Sequence, residues 1–158
     1  MIATAILDRI SVFPTANQQT RLASFNPYHG LNRAGGINVV TFPDRERIDS
    51  LRSWGDNWDG FGSKAPEHLA IANAIAKLIE FAQLAETSGY VWRSPRVSAS
   101  ECGEVVLEWW HREHKLTVYV GSNHAEYIKV WGTDVVDSME DGALVRGNFL
   151  GLWRWLNA

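Results

Sequence analysis

The sequence predicts an α+β fold: an antiparallel meander of about four strands packed against a long amphipathic helix, with helices flanking it at both ends of the chain. Two observations predict this. Apolar residues recur at helical spacing from Pro66 to Thr87, and beyond Gly89 the spacing changes to the alternation of strands. The chain has 158 residues, 46% hydrophobic and 21% charged, which is the size and composition of one globular domain, residues 1–158.

The helix predicted over 66–87 has the clearest periodicity in the chain. Polar residues fill one side and Gly89 ends the pattern. The apolar side consists of Ile71, Ala72, Ile75, Leu78, Ile79, Ala82 and Ala85. A second helix is expected over 41–54, because Thr41 is a suitable cap with an acid three residues later. This helix would bury Ile48 and Leu51.

Both ends of the chain also have helical patterns. Residues 2–13 place apolar side chains near helical spacing, although their β-branched content also permits a strand. Residues 14–36 are polar and aperiodic, which is typical of a long loop or a mobile arm. A last helix is expected to begin at Asp137 or Ser138. Its apolar stripe would be Val145, Phe149, Leu152, Trp153 and Leu156.

Four short runs rich in β-branched and aromatic residues predict the strands. They are Arg96–Ser100, Glu104–His111, Leu116–Gly121 and Glu126–Trp131. The links between them are short, which favours an antiparallel meander. Alternation along the second and third strands predicts one core-facing side. That side consists of Val105, Leu107, Trp109, Leu116, Val118 and Val120.

The most distinctive local stretch precedes the long helix. It reads Asn57-Trp58-Asp59-Gly60-Phe61-Gly62-Ser63-Lys64-Ala65-Pro66. Its two glycines allow positive φ on either side of an aromatic residue, which suits a tight reversal. We expect Trp58 and Phe61 to anchor this turn in the core and Asp59 to accept backbone N–H groups. Ser63 is the expected N-cap of the long helix. We interpret the stretch as a stability element.

The stretch resembles a motif, roughly Trp-Asp-Gly-aromatic-Gly-Ala-Lys-Pro, of small prokaryotic proteins encoded on chromosomes and mobile elements. The resemblance covers the motif, the following helix and the strand from Glu104 to Trp109, and it does not include the first fifty residues. It implies a fold pattern more than a function.

Composition narrows the class of partner. Fifteen basic and eighteen acidic residues give a net charge of −3, so no global field attracts nucleic acid or an anionic membrane. A single cysteine, Cys102, excludes an intramolecular disulfide and is typical of a reducing cytoplasm. No apolar run approaches the roughly 20 residues that span a bilayer. We expect a cytoplasmic protein without a membrane partner.

Candidate catalysts are few. His111 and His114 flank a predicted hairpin tip together with Arg112 and Glu113, which makes a metal-independent ribonuclease the best enzymatic alternative. The helical zinc-binding pattern is missing, and one cysteine excludes the common structural zinc sets, so neither a metal site nor a cofactor is expected.

A cysteine nucleophile is also not expected. Cys102 and His124 lie in turns at the other end of the meander, but Glu101 and Glu104 flank Cys102 and disfavour its thiolate. We therefore interpret Cys102 as an unreactive cysteine.

The function favoured by the sequence is a non-enzymatic protein-binding module. Eight tryptophans, small size and the resemblance to mobile-element proteins favour an inhibitor or neutraliser, either antitoxin-like or anti-CRISPR-like. A homodimer that pairs through a sheet edge is a further alternative. We predict that the partner contacts the sheet face opposite the core.

The residues of this outer face depend on one turn. Because Trp109 faces the core, the adjacent Trp110 must point outwards. If the turn before the last strand has odd length, Ile128 and Val130 face the core; a two-residue turn reverses this. We favour the first register, because it keeps aliphatic residues together. Partner contacts are then expected from Glu108, Trp110, Tyr119, Tyr127, Lys129 and Trp131, beside Thr117.

Overall fold

The structure is a computed structural model that describes residues 42–132 and 137–158. The cap expected at Thr41, the helix expected over 2–13 and the loop or arm expected over 14–36 lie outside these residues. The elements are α1 (Phe42–Ser50), continued by a 3-10 turn (Leu51–Ser53), α2 (His68–Thr87), β1 (Arg96–Ala99), β2 (Val105–His111), β3 (His114–Val120), β4 (Ala125–Trp131), β5 (Met139–Ala143) and α3 (Arg146–Leu156).

The strands form one antiparallel sheet in the order β1-β2-β3-β4-β5, which confirms the predicted α+β meander. There are five strands in the described residues rather than about four. The additional strand, β5, occupies the segment in which the last helix was expected to begin, at Asp137 or Ser138. Pairing with β4 stabilises this segment as a strand, since Lys129 of β4 lies opposite Glu140 of β5 and their side chains form a 2.7 Å ion pair. The helix α3 therefore begins later, at Arg146.

The long helix α2 matches its prediction closely but begins at His68. The N-cap expected at Ser63 is wrong, because the Ser63 hydroxyl donates to Asp59 Oδ2 at 2.5 Å instead. Glu67 occupies the cap position without a side-chain cap bond. At 20 residues α2 is the longest described helix, and no described helix is long and apolar enough to cross a membrane.

The described helices and strands share one hydrophobic core. The core sides predicted for β2 and β3 are confirmed, as is the burial of Ile48 and Leu51. Aromatic rings join α2 to α3 within this core: Phe81 stacks on Phe149 with ring centroids 3.8 Å apart, and Trp153 follows at 5.8 Å from Phe149. One side of the sheet contributes Val105, Leu107 and Trp109 to this core, and we call it the helix side.

The register predicted for β4 is wrong. Val120 pairs with Ala125, so the intervening loop contains four residues, Gly121 to His124. An even-length loop keeps Ala125 on the same side as Val120, and alternation then places Tyr127, Lys129 and Trp131 on the helix side. Ile128 and Val130 lie on the outer face instead.

The side chain of Asn73 in α2 binds this loop. Asn73 Nδ2 donates to the carbonyl oxygens of Gly121 and Ser122 at 3.1 and 2.9 Å. The Gly121 N–H donates to the His124 carbonyl oxygen at 3.0 Å and closes the loop. Because Asn73 lies 48 residues before Gly121, the residues around the loop do not predict this contact.

Candidate functional site

The turn between β2 and β3 holds the candidate catalytic histidines, and three of the predicted partner residues, Trp110, Lys129 and Trp131, lie near it on opposite sides of the sheet. His111 and His114 are directly paired across this turn, and Arg112 within it has a positive φ of 54°. The outer face contributes two further side chains, and the helix side contributes three. We call this group the hairpin end; it consists of Trp110, His111, His114, Lys115, Lys129, Trp131 and Trp155.

On the outer face, a buried carboxylate fixes the surroundings of Trp110. Glu108 is 3% exposed, and its Oε1 lies 2.6 Å from Lys115 Nζ. The same Nζ lies 5.1 Å from the centroid of the Trp110 ring, a cation–π contact. Trp110 nevertheless keeps 46% of its surface exposed. The result is an exposed indole whose neighbouring cation is held in place from below.

The rest of the predicted outer-face surface is less accessible. The register places Glu108, Thr117 and Tyr119 on the same face as Trp110, as expected. However, Tyr119 is only 8% exposed, and Glu108 and Thr117 are buried. A partner that approaches this face as it stands reaches Trp110 before any of these three.

The other three predicted partner residues form a separate cluster on the helix side. Lys129 Nζ lies 5.8 Å from the Trp131 ring centroid and 5.4 Å from that of Trp155, while pairing with Glu140. The hydrogen bond from Lys129 lowers the pKa of Glu140. Burial, and then the hydrogen bond to Glu140, raise the pKa of Tyr127. Because Tyr127 and Trp131 lie on the helix side, they do not share a surface with Trp110.

The two histidines of the turn pack against the end of α3. His111 Nδ1 lies 3.0 Å from the Leu156 carbonyl oxygen, and because a carbonyl only accepts, Nδ1 carries the proton. The His114 ring stacks on Trp155, with centroids 4.5 Å apart and planes 20° from parallel. Arg112 Nη1 donates to the Ala158 carbonyl oxygen at 3.4 Å. The structure thus brings both histidines together but directs the nearby arginine to the backbone.

The stretch from Asn57 to Pro66, which we call the glycine-rich turn, is held by its own side chains. Asp59 Oδ1 accepts the backbone N–H groups of Phe61 and Ser63 at 2.9 and 3.3 Å, the acceptor role expected for it. The Ser63 hydroxyl, followed by the Phe61 N–H, lowers the pKa of the Asp59 carboxyl. Gly60 and Gly62 both have positive φ, 79° and 88°. These conformations favour glycine at both positions.

The turn is not anchored in the core by Phe61, which corrects the sequence expectation. Phe61 is 79% exposed. The positive-φ glycines on either side reverse the chain around it, and backbone bonds to Asp59 satisfy the turn without a buried aromatic ring. Trp58 is half-buried, and its ring lies 4.5 Å from that of Trp54 with the planes tilted by 35°; Trp54 in turn packs against the core.

The opposite end of the sheet contains a polar pair that sequence reasoning missed. Glu104, buried directly before β2, places Oε1 2.8 Å from His124 Nε2 and accepts the Ser100 hydroxyl at 2.9 Å. His124 Nδ1 lies 3.0 Å from Asn123 Oδ1, so both ring nitrogens are occupied. The thiol of Cys102 is exposed. The sequence signal was that Glu104 begins a predicted strand at the same end of the meander as the turn that contains His124.

Neither metal ligands nor known relatives indicate a function. Within 42–132 and 137–158, no group of three or more His, Cys, Asp or Glu side chains is arranged to hold a metal ion. No protein-family model, curated protein or solved structure matches the chain.

Proposed function

We propose that this chain is a non-enzymatic protein-binding module and that Trp110 at the hairpin end is the centre of its partner surface. The observation that carries the proposal is the arrangement of Glu108, Lys115 and Trp110. A buried carboxylate holds the lysine ammonium at 2.6 Å, and this ammonium lies over an indole that remains 46% exposed. Tryptophan is among the residues that dominate interface energies, and a restrained side chain loses little entropy on binding.

The partner we propose is a protein complex that this module inhibits or neutralises, as an antitoxin neutralises a toxin or an anti-CRISPR protein inhibits a defence complex. The resemblance of the Trp58 to Pro66 stretch to mobile-element proteins supports this class. The net charge of −3 disfavours nucleic acid and anionic membranes as partners. The single cysteine supports a cytoplasmic location.

The test is a comparison of two baits. The purified chain and its Trp110→Ala variant are used to capture partners from the native host, and both bound protein and bound RNA are identified. With the captured protein purified, Trp110→Ala should weaken binding by roughly 2 kcal/mol, about thirtyfold in Kd, at an unchanged melting temperature. Val91→Ala is the matched control, since Val91 is a 78% exposed apolar residue in the link between α2 and β1.

Three results would count against this proposal. One is a Trp110→Ala variant that binds the partner as tightly as the native chain does. Another is capture of RNA without protein. The third is a self-associating chain whose dimer survives Trp110→Ala, measured by sedimentation, because that would favour pairing through a sheet edge.

A metal-independent ribonuclease is the second candidate, and one observation favours it. The register pairs His111 with His114, two residues of the kind that supply a general base and a general acid. The direction of Arg112 towards the Ala158 carbonyl oxygen and the acidic net charge count against it, because a phosphate would need a cation.

A further inference from the structure

The sheet register pairs two histidines at the turn between β2 and β3. Spacing along the sequence left open whether His111 and His114 face the same side, whereas the structure pairs them directly across β2 and β3. Directly opposite residues of an antiparallel pair point to the same face, with Cβ atoms about 4.5–5.5 Å apart. Two side chains that leave the sheet on the same face at this spacing can both reach one ion.

The hydrogen bond of His111 leaves the other nitrogen of its ring able to bind a metal. Nδ1–H donates to the Leu156 carbonyl oxygen at 3.0 Å, so in the neutral ring Nε2 has the lone pair. Histidines that bind metal ions usually donate their second ring N–H to a carboxylate, a backbone carbonyl or water, which fixes the tautomer and the orientation of the ring. His111 has this arrangement.

The ring of His114 is also held in place. It stacks on Trp155 at 4.5 Å, and Trp155 directly precedes Leu156, so both histidines pack against the same end of α3. Within the described ranges, no hydrogen-bond partner occupies the His114 ring nitrogens. The C-terminal end of a helix has partial negative charge, which favours a cation nearby.

The other described histidines do not offer such a site. His68 Nδ1 accepts from the Arg52 guanidinium at 3.2 Å, so its lone pair is already engaged. Both ring nitrogens of His124 are occupied. Among the described histidines, His111 and His114 therefore are the ones whose ring nitrogens can bind a metal ion.

We propose that His111 and His114 form an open two-histidine site for a borderline divalent transition-metal ion, Zn²⁺, Ni²⁺ or Cu²⁺. Imidazole nitrogens suit these ions, whereas Mg²⁺ and Ca²⁺ prefer oxygen ligands. No third His, Cys, Asp or Glu among the described residues joins the pair, so water or an added molecule completes the coordination. The site binds more weakly than structural zinc sites with three or four protein ligands.

The test uses the untagged chain and the metal salts alone. Isothermal titration with NiCl₂ and with ZnCl₂ should give one ion per chain, and MgCl₂ should give no heat of binding. His111→Asn retains a donor for the Leu156 carbonyl oxygen but removes Nε2, and His114→Phe keeps a ring against Trp155 but removes both nitrogens. Each variant should lower the affinity at least tenfold, while His68→Asn should not change it.

Nuclear magnetic resonance of the native chain gives a reading that does not depend on a variant folding. Adding ZnCl₂ should shift the Nε2 resonance of His111 most strongly while its Nδ1 proton remains. A shift at Nδ1, unchanged affinity in both variants, or absence of binding by the native chain would each overturn the proposal. Because the probe is the metal alone, none of these results depends on whether Trp110 binds a partner.

Discussion

Trp58 donates its indole N–H to the carbonyl oxygen of Lys64, 3.1 Å away, and thereby closes the glycine-rich turn across its base. Its ring also packs at a tilt against that of Trp54. The Lys64 N–H in turn donates to the Glu101 carbonyl oxygen at 2.9 Å, which connects the turn to the link between β1 and β2. The turn is thus held at its base, whereas Phe61 at its tip is exposed.

Replacing Trp58 should measure how much its contacts in this turn contribute to the stability of the protein. We expect Trp58→Ala to lower the free energy of unfolding by roughly 2 kcal/mol, from one lost hydrogen bond and one lost aromatic pair. That is less than the 3–5 kcal/mol typical of truncating a fully buried tryptophan, because Trp58 is only half-buried. Phe61→Ala is the control and should change stability by no more than about 0.5 kcal/mol in urea unfolding. Equal losses in both variants would show that Phe61 also anchors the turn.

Glycine substitutions should separate backbone strain from collision. A side chain at Gly60 would meet no atom within 4 Å, so Gly60→Val should cost about 1–3 kcal/mol from its positive φ alone. At Gly103 the φ is also positive, and a new Cβ would lie 2.7 Å from the Ala65 carbonyl oxygen, so Gly103→Ala should cost more than Gly60→Ala. Gly55→Ala, without either problem, should be nearly neutral. Thermal melts in the opposite order would contradict this account.

The pKa of Asp59 predicts an acid dependence of stability. The Ser63 hydroxyl and the Phe61 N–H hold this pKa below its ordinary value of 3.8. A lowered folded-state pKa adds stability above the unfolded-state value and loses it as the pH falls through the folded-state value. We therefore expect the stability of the native chain to fall more steeply than that of Asp59→Asn below about pH 4. The effect should be small, because Asp59 is accessible to solvent. Parallel pH profiles of urea unfolding would contradict it.

No RNA cleavage is expected to depend on the paired histidines. His111 Nδ1 is bound to a carbonyl oxygen, His114 is stacked on Trp155, and Arg112 Nη1 donates to the Ala158 carbonyl oxygen. Purified native chain should leave a labelled RNA intact. If it cleaves the RNA, and His111→Asn or His114→Phe abolishes cleavage at unchanged stability, the ribonuclease candidate replaces the binding module.

Several features could be predicted from the sequence because their causes are local. The periodicity of α2 depends on residues three and four apart, and the facing sides of β2 and β3 depend on alternation across a two-residue turn. The outward direction of Trp110 follows from its neighbour Trp109, whose burial depends on the same alternation. In each case, neighbouring residues contain the information that determines the structure.

Other features were decided by contacts between distant residues. The four-residue loop that turned Tyr127, Lys129 and Trp131 to the helix side is held by Asn73 of α2. The strand β5 is stabilised by its pairing with β4, and the two histidines of the turn are oriented by the end of α3. The pattern of neighbouring residues does not predict these contacts, because each contact joins segments that meet only when the chain has folded. The sequence by itself therefore determined the elements and the direction of Trp110, whereas the tertiary structure decided which aromatic residues share a surface.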